Sequence, residues 1–192
     1  MTGDESRNQK AEDGQAQAAR FALLSETILL IAKTPDLDQL FSGVMKKIKW
    51  VLDFERCSVA LLNPDGASYQ LRTLVETRRD MAGVDQEAVP LDRGLPGAVI
   101  QSRSMRSWRS GDENPLLPAD AAMEDGSLAV VLSLPLTAFD NTLGALTFGT
   151  TRAEGFDRED EKVAAFLATH LGLAIDRWQQ TEALRESEMR YA

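Results

Sequence analysis

The chain has 192 residues, 43% of them apolar, and 30 acidic against 21 basic side chains give a formal charge of −9. This is enough chain for a domain that buries roughly two-thirds of its unfolded surface. So negative a surface argues against duplex DNA or an anionic membrane as the main partner. One cysteine, Cys57, excludes an intrachain disulfide, and one histidine, His170, excludes multi-histidine metal sites. No apolar run reaches the ~18 residues of a membrane span. The polar start holds no apolar signal segment, so a cytoplasmic location without membrane contact is expected.

Residues 1–18, rich in Gly, Gln, Ala, Asp and Glu, read as a frayed tail. Over 18–32, Phe21, Leu24, Ile28 and Ile31 recur at steps of three and four, which predicts a helix whose apolar stripe wants a partner. Thr34-Pro35-Asp36 breaks this helix and restarts another, with Thr34 as the expected cap. Leu37, Leu40, Phe41, Val44, Met45 and Ile48 carry the second helix to about Trp50, with a face expected to pack on a sheet.

The sheet is predicted to begin with 57–62, turn at Asn63-Pro64-Asp65-Gly66 and return over 69–76. Residues 77–90 read as a loop, Gly94–Gln101 as a short helix and 103–108 as an edge strand. The segment 110–126 has two prolines, two glycines and five acids, and reads as a long surface loop. Its acids, Asp112 among them, lack the ordered spacing of a calcium loop. Residues 128–138 and 143–150 form a second hairpin about Asp140-Asn141, with a bulge or an unpaired strand side expected at Pro135. From about Asp157 past Glu186 the pattern is helical, through Val163, Phe166, Leu167, His170, Leu171, Ala174, Ile175 and Trp178. Such a helix outruns a single globular body and projects from it or joins a coiled coil. The expected organisation is a tail at 1–18, a domain at 19–178 and a helical linker at 179–192 that leads to a further domain.

Four stretches, in this order, resemble the GAF family of small-molecule sensory domains. They are Arg56–Leu62 with its Asn63–Gly66 turn; Leu91–Val99 with Gly94-Leu95-Pro96-Gly97; Ser127–Leu136 running into Leu143-Gly144-Ala145-Leu146; and Phe156 with Asp160 and Glu161. The resemblance implies an α+β fold: a GAF-like central antiparallel β-sheet with N- and C-terminal helices on one face and pocket-covering loops and short helices on the other. It also implies a ligand pocket with Leu74, Met81, Val99, Trp108, Met123 and Leu132 as walls and Arg109 and Asp112 as polar groups. The Asn-Lys pair of the cyclic-nucleotide binders is absent, and Arg152 stands where a lysine would face Asp160. Cys57 is followed by Ser58 and no Asp-Ile-Pro element occurs, which argues against an attached tetrapyrrole. Neither a cofactor nor a metal is indicated.

Residues Leu184–Tyr191 resemble the linker helix that opens many PAS domains, which implies a bacterial signalling protein such as a histidine kinase or diguanylate cyclase. The expected function is a non-catalytic sensory input domain that binds a small ligand, forms a homodimer, or both. Leu24, Ile28, Ile31, Leu171, Ile175 and Trp178 are the expected core of a twofold four-helix bundle. The competing reading is a ligand-free module for dimerisation or protein contact. Enzymatic readings lack a nucleophile elbow, a phosphate loop and a zinc motif. Methionine-sulfoxide reduction, known for some free-standing members of the family, uses cysteine thiols, and here Cys57 has no resolving partner.

Overall fold

The helical periodicity of residues 21–50 resolves into two helices in a computed structural model, which describes residues 21–34, 36–77, 88–112 and 128–191. The chain divides into two units, 1–51 and 52–192. In the first, α1 spans 21–33 and α2 spans Leu37–Ile48. Thr34 closes α1, its N–H and hydroxyl both donating to the Leu30 carbonyl at 3.1 and 2.8 Å. The cap of α2 is Asp36 rather than Thr34: its carboxylate accepts the Gln39 N–H at 2.8 Å and satisfies one orphan donor of the first turn. Leu40, Phe41, Val44, Met45 and Ile48 form the buried face of α2, as their spacing predicts. The two helices meet through an ion pair of Lys47 and Glu26 at 2.7 Å.

The second unit is built on one six-stranded antiparallel sheet in the order β3-β2-β1-β6-β5-β4. Its strands are β1 (Arg56–Leu62), β2 (Ser68–Glu76), β3 (Val89–Pro90), β4 (Arg106–Arg109), β5 (Val130–Ala138) and β6 (Asn141–Thr150). The β1–β2 turn is held by Asp65, whose carboxylate accepts the N–H groups of Ala67 and Ser68 at 2.9 and 3.2 Å. These bonds favour the charged form and lower its pKa from the ordinary aspartate value. The expected loop at 77–90 ends in the two-residue strand β3, and the expected strand at 103–108 begins three residues later. β4 pairs with β5 only as far as Ser133, so one side of β5 is unoccupied at Pro135, where a donor is missing. The irregularity in the β5–β6 register falls between Leu136 and Thr137.

Among the described residues two helices complete this unit, α3 (Gly94–Ser102) and α4 (Arg158–Tyr191). α4 starts at a reciprocal cap. Asp157 accepts the N–H groups of Glu159 and Asp160 at 2.8 Å each, while Asp160 accepts the Asp157 N–H at 3.2 Å. Arg152 lies 3.8 Å from Asp160 and donates to the Gly155 carbonyl at 3.1 Å, tying the β6–α4 connection to the helix start. His170 donates through Nδ1 to the Phe166 carbonyl at 2.9 Å, a bond internal to the helix.

The core of this unit lies where α4 packs along β5 and β6. Leu132, Leu134, Leu136, Leu146 and Phe148 on the strands are at most 2% exposed, as are Leu167, Leu171 and Ile175 on the helix. Helix and sheet backbones approach closely at Gly172, where an added Cβ would lie 2.3 Å from the Thr137 carbonyl oxygen. Alanine in place of glycine inside a helix ordinarily stabilises by about 1 kcal/mol. Here the obstacle is backbone, so Gly172→Ala is expected to destabilise by about 1–3 kcal/mol through overpacking. A thermal melt checks this: Tm falls for Gly172→Ala, and an unchanged or raised Tm contradicts the close approach.

Candidate functional site

Side chains alternate along a strand, so β1 sends Arg56, Ser58 and Ala60 to one sheet face and Cys57, Val59 and Leu61 to the other. Register extends that alternation into rows across the sheet. Ala60 pairs with Leu71 and Ala145; Ser58 with Thr73 and Thr147; Arg56 with Glu76 and Gly149. On the far side, Thr147 continues to Ser133 and Arg106, and Gly149 to Val131 and Trp108.

α3 identifies the face. Its Val99 and Ile100 pack with Ala60, Leu71, Ala145 and Tyr69 over the first row, and its Leu95 packs with Leu128, Val131 and Trp108 over the third. The helix comes this close because Gly97 carries no Cβ: one added there would lie 2.3 Å from the Leu91 carbonyl oxygen and 3.4 Å from the Tyr69 ring. The Tyr69 hydroxyl donates to the Arg93 carbonyl at 3.0 Å, fixing the entry to the helix.

Between these apolar rows runs a polar one: Thr73, Ser58, Thr147 and Ser133, exposed by 7, 2, 5 and 0%. The hydroxyls of Ser133 and Thr147 bond each other at 2.8 Å. At the edge of the row Arg106 reaches the Ser102 hydroxyl, its Nε donating at 3.3 Å. Beside the row, Arg56 lies with its Nε 3.8 Å from a carboxylate oxygen of Glu76, and both side chains are nearly buried. A sheet face needs no such groups for stability. A buried hydroxyl pair contributes about 1 kcal/mol net, and a buried ion pair is weak evidence for stability. What the arrangement offers is donors and acceptors in a line, with an ion pair alongside. The one histidine lies on α4, across the sheet, so no imidazole is placed to activate either serine. Among the described residues no cluster of His, Cys, Asp and Glu could hold a metal.

The residues expected from sequence are only partly brought to this face. Val99 is buried there on the inner side of α3, and Trp108 of the edge strand packs with Leu95, Leu128 and Val131. Leu74 is the residue skipped where the β1–β2 register slips, next to Thr73. Leu132 belongs to the opposite face, since it alternates with Ser133 and pairs with Phe148, whose ring meets Phe54 edge-on at 5.1 Å. Arg109 is turned to the β6–α4 connection, donating to the carbonyls of Ala153 and Glu154 at 2.9 and 3.2 Å. Asp112 closes the turn after β4 by accepting the Arg109 N–H at 2.9 Å. Met81 and Met123 lie outside the described residues. Of the expected dimer residues, Leu171 and Ile175 are fully buried within the single chain and Ile31 is 5% exposed, so they serve the chain's own packing. Leu24, Ile28 and Trp178 are half-buried.

Sequence reasoning missed the polar row. Its signal was a small hydroxyl residue flanked by apolar neighbours in β1, β5 and β6, at Ser58, Ser133 and Thr147, with Thr73 opposite Ser58 on β2. Cys57, next to one of them, points the other way and is fully buried. Burial pushes its thiol pKa far up, against a smaller opposing pull from the Arg56 charge.

Known proteins share this architecture. The GAF domain of an Acinetobacter phosphoenolpyruvate-protein phosphotransferase superposes with a TM-score of 0.70 at 15% identity, over 86% of this chain and 98% of that one. The GAF domain of a two-component sensor histidine kinase from Bacillus halodurans gives 0.67 at 17% identity, over 78% and 99%. The free methionine-R-sulfoxide reductase of Neisseria meningitidis, in complex with its substrate, also gives 0.67, at 16% identity over 87% and 93%. No curated protein matches the sequence. The sequence profile of the GAF domain matches residues 34–176. With most of its length matched and the sheet order and helices in agreement, the chain belongs to the GAF domain family.

Proposed function

We propose that this GAF domain is a non-catalytic sensory input domain that binds a small polar ligand on the α3 face of its sheet and passes occupancy to α4. The buried row Thr73–Ser58–Thr147–Ser133, with Arg56 beside it, carries the reading. Four hydroxyls across four adjacent strands cost desolvation that apolar side chains would avoid. They also match a pocket that is mostly apolar with a few placed polar groups. The parent chain on this reading is a cytoplasmic bacterial signalling enzyme, a histidine kinase or diguanylate cyclase. Residues 184–191, which resemble a PAS linker, continue α4 without a break.

Native mass spectrometry of freshly purified protein, followed by a thermal-shift screen of small polar compounds, tests ligand binding. A bound or stabilising compound is expected. The paired variant Ser133→Ala/Thr147→Val should weaken it about tenfold, the worth of one or two hydrogen bonds, with little change in the unliganded Tm because both partners are removed together. If nothing binds and the variant only loses stability, the row is structural and the ligand-free module is the better reading.

A homodimer is part of the proposal. α4 leaves Leu173, Leu184 and Met189 exposed by 43, 60 and 72%, and α1 leaves Phe21 and Leu29 exposed by 72 and 56%. Sedimentation at micromolar protein should show a dimer, and Leu173→Glu/Leu184→Glu should shift it toward monomer. A wild-type monomer at that concentration removes this part of the reading.

The sulfoxide-reductase reading meets two obstacles in Cys57. It stands on the α4 face rather than the α3 face, and its thiol stays protonated at physiological pH. Iodoacetamide at pH 8 is therefore expected to leave the native protein unlabelled for hours and to modify it promptly in denaturant. Rapid native labelling would show that this thiol is open to solvent.

A further inference from the structure

We propose that the groove beside Trp178 is a second binding site, for a small organic cation with an apolar body. The groove has a volume of about 430 Å³, within the range of small-molecule sites. Leu62, at the end of β1, and Leu143, near the start of β6, form its sheet wall, and Trp178 of α4 forms the helix wall. One and two turns further along the helix, Glu182 and Glu186 line the same groove.

The composition selects one ligand chemistry. An indole face attracts a cation through its quadrupole. Two carboxylates add Coulombic attraction, the chain's charge of −9 favours the approach of cations, and the leucines favour an apolar stem. The carboxylates have weak competitors: Glu182 pairs with Arg185 at 3.6 Å and Glu186 with Arg190 at 4.0 Å, both exposed partners of low worth. An anion would meet repulsion from both glutamates, and a neutral molecule would gain from neither.

This site shares no residue with the hydroxyl row, so it stands or falls independently of that reading. The test uses the full chain and the indole N–H resonance of Trp178, assigned by its loss in Trp178→Phe. Phenethylammonium is titrated beside its neutral and anionic relatives, phenethyl alcohol and phenylacetate. A saturable shift of that resonance is expected for phenethylammonium, with Kd rising about tenfold in Glu182→Gln/Glu186→Gln and at least as much for the alcohol. A thermal melt establishes that the variant, altered at two exposed or half-exposed positions, is folded. Absence of a saturable Trp178 shift, equal binding of the alcohol or phenylacetate, or an unchanged Kd in the folded variant would each overturn the proposal.

Discussion

Alternation of side chains along paired strands governs the chemistry of this domain. Because β2, β1, β6 and β5 run antiparallel in register, each residue's parity fixes which of two faces it joins, and residues far apart in sequence are collected into rows. One parity places Leu132, Leu134, Leu136, Leu146 and Phe148 in the core with α4. The other places Thr73, Ser58, Thr147 and Ser133 on the side of α3. A slip of one residue in a strand would exchange that strand's two sets, turning its hydroxyl toward α4 and its core residues toward α3.

This division supplies the physics a transmitter needs. β5 and β6 contribute half of the hydroxyl row on one face and the strand side of the α4 contact on the other. A bound molecule that bridges Ser133 and Thr147 therefore acts on the backbone that α4 rests on, through a layer one residue thick. The contact at Gly172 is backbone against backbone, with no flexible side chain to absorb a displacement. Dense packing of that kind transmits strain. Signalling additionally requires two arrangements of the helix that the ligand distinguishes, and those are what the proposed dimer would provide.

The elements were legible in the sequence because they rest on local signals. Helical spacing marks α2 and α4, the Asn63–Gly66 turn marks the first hairpin, and Gly94-Leu95-Pro96-Gly97 marks α3, where Gly97 is required by the approach to Leu91. The site was less legible because it is a property of register. Ser58 within an apolar run reads as an incidental polar residue until Thr73, Thr147 and Ser133 are known to be its neighbours. The face of Leu132 is illegible for the same reason: an apolar strand buried on both sides gives no parity signal of its own. Arg109 and Asp112 have the right chemistry for a pocket, but they are spent on the turn after β4 and on the connection into α4. The stripe on α4 combined two roles that sequence could not separate. Leu171 and Ile175 belong to the domain core, whereas Leu173 and Leu184 stay exposed.

α4 is where these roles converge. At about 1.5 Å per residue its 34 residues extend about 50 Å, more than the sheet can cover. Up to Ile175 the helix has a continuous buried face; from Thr181 onward nearly every side chain is exposed. Trp178 stands at the transition, half-buried, with the groove beside it. A helix is most easily redirected where its support ends, because among the described residues less packing opposes the change beyond that point. On the proposed reading the hydroxyl row would act on the supported part through β5 and β6, whereas the groove would bear on the point of departure. A ligand at either place would therefore act on the same helix from different positions. Occupancy of one would alter affinity at the other only if the helix has two orientations that both ligands discriminate.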